Sequence, residues 1–415
     1  MEKHETVRQV VTCRVCERDD WQDVVSFGPV PLANQFLPQA DSYDERFYPL
    51  GVRSCRSCRL MSLTHVVDPQ ILFRDYLYVT PDSEMITRHM RYVVDVCRER
   101  FEMPRDGLVV EFGSNTGRQL MAFRDTGMRT VGVDPARNLA AVAMADGIET
   151  VPEFFSAEAG ASIKADHGPA RLVLGRHVFA HVDDIAEIAA GARELLSPQG
   201  VLAIEVPYAL DLLEKTSFDT IYHEHLSYLT VGTLVTFFER HGLRVVDVER
   251  LAVHGGSILV FVGHADGPWP VRPIVDELLE TEQRAGMHLD ATYEGFARNV
   301  AEIRAELPAL LRGLVAQGKR IAGYGAPAKG NTILNVCGIG LDELEFCIDT
   351  TDLKQGKVLP GTHVPVHPPE YAKEHAPDFY LLLAWNYAEE IIGKESAFRD
   401  SGGRFILPIP EPVIL

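Results

Sequence analysis

A chain of 415 residues is long enough for about two to four domains, each able to bury its own core. Its 40 Lys and Arg against 59 Asp and Glu leave a net charge of −19, a field that repels phosphate backbones and anionic lipid and so excludes nucleic acid and membrane surfaces as partners. No apolar run approaches the roughly 20 residues of a membrane span and the N-terminus has no apolar signal core, so a soluble, cytoplasmic monomer without disulfides is expected.

Residues 1–70 read as short strands and turns around two matched pairs, Cys13-x2-Cys16 and Cys55-x2-Cys58. Thiolates at this spacing hold a tetrahedral zinc, each pair in a tight turn whose backbone N–H groups face sulfur. Four buried apolar cysteines would not need two matched spacings, and neither pair opens a helix after a strand as a redox pair would. Because the four thiolates fill the coordination shell, the metal is expected to be structural rather than catalytic. The other three cysteines, Cys97, Cys337 and Cys347, lie in apolar periodic segments and read as core.

From about residue 84 to 265, strand-like runs alternate with helical patterns: LVVEFG (108–113), TVGVDP (130–135), IETVPEFF (148–155), RLVLGRH (171–177), VLAIEVPY (201–208), LRVVDVE (243–249) and SILVFVG (257–263). This alternation predicts an α/β fold, a doubly wound sheet with helices on both faces. The first run leads into Glu111-Phe112-Gly113-Ser114-Asn115-Thr116-Gly117, where glycines let the backbone approach a ligand at a helix N-terminus. The Gly-x3-Gly spacing is not that of dinucleotide enzymes, and Glu111 two residues before the first glycine suits S-adenosylmethionine (SAM) better than a pyrophosphate. Asp134, ending the second run, stands where a carboxylate takes ribose hydroxyls. The candidate cofactor residues are therefore Glu111, Gly113, Asn115, Gly117 and Asp134.

After the fifth run comes Thr220-Ile221-Tyr222-His223-Glu224-His225-Leu226-Ser227-Tyr228, with two histidines, a carboxylate and two tyrosines within seven residues. In an open parallel sheet the loops at the C-terminal strand ends surround the ligand. A metal would need a third ligand beside the His-x-His pair and none is evident, so a general base oriented by a neighbouring carboxylate is the more economical reading. His177 and His181, at the end of the fourth run, can reach the same cavity, although a lone histidine is more often a satisfied core residue.

From Val271 to Gln317 the pattern is helical, with Phe296, Val300, Ile303, Leu307, Leu310 and Leu314 on one face and a kink expected at Pro308. Alternation then resumes in RIAGYGA (320–326), LEFCID (344–349), FYLLLAW (379–385) and RFILPIP (404–410), which predicts a second, smaller parallel sheet.

The cysteine pairs, PLANQF (31–36), the SAM-type glycine turn, HVFAHVDD (177–184), IYHEHLSYL (221–229), VHGGSI (253–258) and GYGAPAKGNTILN (323–335) occur in one order. In that order the chain resembles, over nearly its whole length, the sugar C-methyltransferases of antibiotic deoxysugar biosynthesis. The resemblance implies a zinc-binding module (1–70), a SAM-dependent methyltransferase domain (71–266), a helical linker (267–318) and a Rossmann-like domain (319–415). It implies a thymidine-diphosphate (dTDP) 4-keto-deoxysugar bound between domains, with His225 as general base and Glu224, Tyr222, His181 and Tyr76 or Tyr78 lining the sugar site. His223 receives no role. Thr116 stands where the family's SAM loop carries an acid, and Arg176-His177 where asparagine is usual.

The expected chemistry follows from the acidity of a C–H beside a ketone. His225, neutral near pH 7 and held by a partner such as Glu224, takes that proton, most simply at C3, while tyrosine or histidine donors stabilise the oxyanion. No catalytic metal is required. Lys329 and its glycine-rich turn are candidates for the diphosphate, or fold architecture alone. Two rival classes are an NAD-dependent oxidoreductase of a nucleotide sugar and a non-catalytic sugar-nucleotide binder.

Overall fold

The computed structural model of the chain describes residues 6–40, 42–73, 79–80 and 84–415. At the N-terminal end, β1 (Trp21–Pro31) and β2 (Phe47–Cys55) pair antiparallel, and β3 (Met61–Leu63) adds to β2. The far side of β3 is taken by a strand from much later in the chain, Ser227–Tyr228, so this four-stranded sheet is not completed by its own module.

Helix α1 (Glu84–Phe101) places Ile86, His89, Met90, Val93, Val94, Cys97 and Phe101 on one buried face, three or four residues apart. It covers the central sheet, whose strands are β4 (Leu108–Phe112), β5 (Arg129–Val133), β6 (Thr150–Val151), β7 (Ala170–Arg176), β8 (Leu196–Pro207), β9 (Leu243–Leu251) and β10 (Ser257–His264). Their order across the sheet is β9-β10-β8-β7-β4-β5-β6. Every residue of β4 is buried, as an inner parallel strand covered on both faces requires. The expected strand over 148–155 shrinks to the two residues of β6.

The sheet is mixed rather than wholly parallel, because β10 runs antiparallel to both β8 and β9. The connection decides it: residues 252–256 are too few for the crossover of a dozen or more that a parallel neighbour needs.

The short helix α2 (Arg118–Arg124) follows β4, and after β10 come two longer helices, α3 (Pro273–Arg284) and α4 (Asp290–Val315). The stretch expected to be a helical linker carries both helices, and it is tied to its neighbours: Asp290 takes Arg56 and Arg59, and Arg304 donates to the carbonyl of Val336. Pro308 lies inside α4, which continues through it as one helix of 26 residues. The last sheet has the order β13-β12-β11-β14-β15-β16, with β11 (Ile321–Tyr324), β12 (Cys347–Ile348), β13 (Val366–His367), β14 (Phe379–Leu382), β15 (Arg404–Leu407) and β16 (Val413–Ile414). It is parallel except for β16, again joined to its neighbour by a connection too short to cross over. Helix α5 (Ala328–Cys337) follows β11. One apolar core runs continuously from Val10 and Leu60 through Val110 and Phe237 to Leu334 and Ile409, so the three sheets share an interior.

Candidate active site

The four cysteines converge. Cys13 and Cys16 sit in the turn before β1, Cys55 ends β2 and Cys58 lies in the turn before β3, and all four sulfurs are within 4.8 Å of one another. The closest pairs, Cys13 to Cys58 and Cys16 to Cys55, are 3.5 Å apart. A tetrahedron of Zn–S bonds about 2.3 Å long puts sulfurs roughly 3.8 Å apart, so the residues fit the ion. Backbone N–H groups of Val15 and Cys16 face the Cys13 sulfur, and that of Cys58 faces Cys55. Hydrogen bonding pushes the Cys13 thiol up and pulls Cys55 down; a dication removes the conflict by letting all four ionise.

The glycine turn lies at the C-terminal end of β4. Gly113 and Gly117 have φ of 64° and 74°, the left-handed region, and a Cβ at Gly113 would lie 2.7 Å from a methyl of Val178. The Asp134 carboxylate accepts from the backbone N–H of Asn115 at 2.7 Å and of Ala136 at 2.9 Å, which holds the turn against the end of β5. Glu111 is buried with its Oε2 unpartnered among the described residues, and burial pushes its carboxyl up to about 8 against the pull of Arg176. A buried carboxylate lacking a donor beside a glycine turn fits the cationic amino-acid end of SAM.

His225 and His181 meet, their ring centroids 4.9 Å apart. The Nδ1–H of His225 donates to the carbonyl of Thr220 at 2.8 Å, leaving the Nε2 lone pair to face the hydroxyl of Tyr222 at 2.9 Å. Burial, reinforced by His181 and Lys329, holds His225 well below the ordinary histidine range, and burial with His177 lowers His181 to about 3. Both rings are neutral at pH 7. Glu224, expected to orient His225, instead accepts from the Asn34 amide at 2.7 Å; the backbone carbonyl of Thr220 does the orienting. Tyr76 and Tyr78 lie outside the described residues. His223 is buried, its Nε2 at the carbonyl of Tyr48, 3.2 Å away.

These groups come with a relative. The C-methyltransferase NovU of Streptomyces niveus is 53% identical to the chain over 410 residues, 99% of this chain and 98% of NovU. The chain belongs to the C-methyltransferase family. A putative zinc binding domain matches residues 13–73, a methyltransferase domain 86–248 and a C-methyltransferase C-terminal domain 252–410. This C-methyltransferase is therefore SAM-dependent and carries a four-cysteine zinc site, and its reaction is methyl transfer rather than hydride transfer. Among solved structures, magnesium protoporphyrin IX methyltransferase from Synechocystis PCC 6803 is 12% identical, covering 43% of this chain and 79% of that one, with a TM-score of 0.33. A putative methyltransferase in complex with the Haloferax volcanii Trm112 activator is 15% identical, covering 44% and 95%, at 0.35.

Near the candidate site residues, Asp219, Trp385 and Glu205 carried no sequence signal, whereas Lys329 was already a candidate from its glycine-rich turn. Asp219, next to the carbonyl that orients His225, is fully buried, and its Oδ2 accepts the indole N–H of Trp385 at 2.5 Å. Lys329, in the first turn of α5, lies 5.9 Å from the same indole and faces Asp219. Glu205 on β8 is fully buried and accepts from His89, Arg176 and His177 at 2.8–3.0 Å. Asn34 in PLANQF was visible as part of a motif, but the glutamate it holds is 190 positions away.

Proposed function

We propose that this C-methyltransferase methylates a dTDP-4-keto-deoxysugar at C3, in the cytoplasm, where four thiolates stay reduced for zinc. The observation that carries the reading is the neutral His225, with one ring nitrogen pinned to a backbone carbonyl and the other facing the Tyr222 hydroxyl, beside the ring of His181.

Nε2 of His225 takes the proton from the carbon beside the ketone. As charge moves to the ketone oxygen, the Tyr222 hydroxyl turns from Nε2 to donate to it, and His181 offers a second donor 4.9 Å from the base ring. When bound against Glu111 and the Gly113–Gly117 turn, SAM supplies an already activated methyl, so the protein contributes alignment. Glu111, Gly113, Asn115, Gly117 and Asp134 are assigned to it. Lys329 and Trp385 bring residues 319–415 to Asp219, and Asn34 brings 1–70 to Glu224, with 71–266 carrying the base and 267–318 bracing the whole. All of these groups come from one chain, so the reading needs no second copy.

The test is incubation with SAM and a small panel of dTDP-4-keto sugars, read by mass for one added methyl and by NMR for its position. A product methylated at C3 is expected, and His225→Asn should lose about 10²–10⁴ in kcat while SAM still binds. Near-wild-type turnover by that variant refutes the base assignment.

A further inference from the structure

The zinc knuckle does more than close a small module. Between its first two ligands stands Arg14, whose side chain is only 6% exposed. Its guanidinium makes five hydrogen bonds. Nη1 donates to the Ser62 hydroxyl at 2.7 Å, to the carbonyl of Leu226 at 3.0 Å and to the Ser227 hydroxyl at 3.3 Å. Nε donates to the carbonyl of Asp183 at 3.3 Å, and Nη2 to its carboxylate at 3.1 Å.

Two of those partners directly follow the base in the chain and one lies just after His181. Leu226 and Ser227 directly follow His225, and Asp183 lies two residues after His181. Leu226 is a crossroads: its carbonyl also accepts the N–H of Leu63 at 3.1 Å, and its own N–H donates to the carbonyl of Ala180 at 2.9 Å. The loops of His225 and His181 are thus tied to each other at Leu226 and to the knuckle through one arginine. The rigid fork of a guanidinium can hold three loops at once; an ammonium cannot.

The geometry points to Arg14 as a positioning residue for methyl transfer, which couples the four-cysteine site to the placement of His225 against His181. The inference rests on the reading of His225 as the base. A base must be held within a fraction of an ångström of its proton, and a 1 Å error costs about a hundredfold. Zinc fixes the turn that carries Arg14, and Arg14 fixes the loops. None of its contacts touches the glycine turn, so the cofactor site stands apart.

The experiment is Arg14→Met beside Arg14→Lys and His225→Asn in the full chain. The readouts are zinc content by elemental analysis, SAM affinity by calorimetry, kcat and KM, and exchange of the substrate's acidic C–H with deuterated water in the presence of S-adenosylhomocysteine. Arg14→Met is expected to keep about one zinc per chain and its affinity for SAM, while kcat and the exchange rate fall together by about ten- to a hundredfold. Arg14→Lys should recover part of both. If Arg14→Met loses its zinc or its cooperative melt, Asp183→Asn, which leaves the other arms in place, decides: a several-fold fall in exchange supports the inference and an unchanged rate overturns it. Unchanged kcat and exchange in Arg14→Met overturn it outright. Loss of exchange in His225→Asn with none in Arg14→Met sinks the positioning role alone; exchange that survives His225→Asn sinks the base reading and the inference with it.

Discussion

Glu111 shows how far a single side chain reaches. Its carboxyl is buried, lacks a partner at Oε2 among the described residues and is pushed up to about 8, so in the free protein it is protonated below that pH. Binding a cation beside it requires the ionised form. Affinity for SAM should therefore fall by up to tenfold per pH unit below about 8 and level off above it, with a proton released on binding. Calorimetry in two buffers of different ionisation enthalpy measures that proton; Glu111→Gln should remove both the release and the slope. His225 presents the opposite case, a histidine kept neutral by burial, so its protonation does not limit the enzyme near neutral pH.

At the scale of elements, side chains from distant segments finish the ends of helices. Glu282 on α3 is 6% exposed and accepts the N–H groups of Val231 at 2.6 Å and Gly232 at 3.0 Å, capping the helix Val231–Arg240. It also takes the buried Tyr208 hydroxyl at 2.8 Å. Glu282→Ala strands all three donors and should cost about 2–4 kcal/mol, read as a lower denaturation midpoint, with SAM affinity kept. No local signal marks this glutamate as a cap: it sits in the last turn of its own helix, 51 positions from the Val231 N–H it serves. The amphipathic face of α4, by contrast, is legible as three- and four-residue spacing, and Phe296, Val300, Ile303, Leu307 and Leu314 are all buried.

Across the whole molecule, residues from all three parts of the chain meet around the histidine-rich segment 220–228. Trp385, just past the end of β14, donates to Asp219, beside Thr220, so the C-terminal part of the chain braces the loop proposed to carry the base. Trp385→Phe keeps an aromatic ring but removes the N–H, leaving Asp219 buried with Lys329 as its remaining cation. It should cost about 1–3 kcal/mol and lower kcat more than it raises the KM for SAM, as thermal melts and steady-state kinetics would show. The shared strand Ser227–Tyr228 works in the same way from the other end, since it is at once the edge of the zinc module's sheet and the exit of the loop proposed to carry the base.

The sequence by itself determined whatever is encoded locally. Two Cys-x2-Cys turns, a strand leading into a glycine turn with Glu111 just before it, and the alternation of strand and helix each depend on residues within a few positions of one another, where spacing sets geometry, and Asp134 is marked by closing the next strand-like run. The histidine-rich loop was legible for the same reason. Only the tertiary structure decided who holds whom. That His225 leans on the carbonyl of Thr220, that Glu224 accepts from Asn34, that Arg14 joins the knuckle to the loops of His225 and His181 and that Trp385 reaches Asp219 all depend on side chains 166 to 213 positions apart or on a backbone atom that carries no sequence signature. A burial pattern tells a residue that it goes inside; which buried partner satisfies it is settled only when the three sheets close on one core.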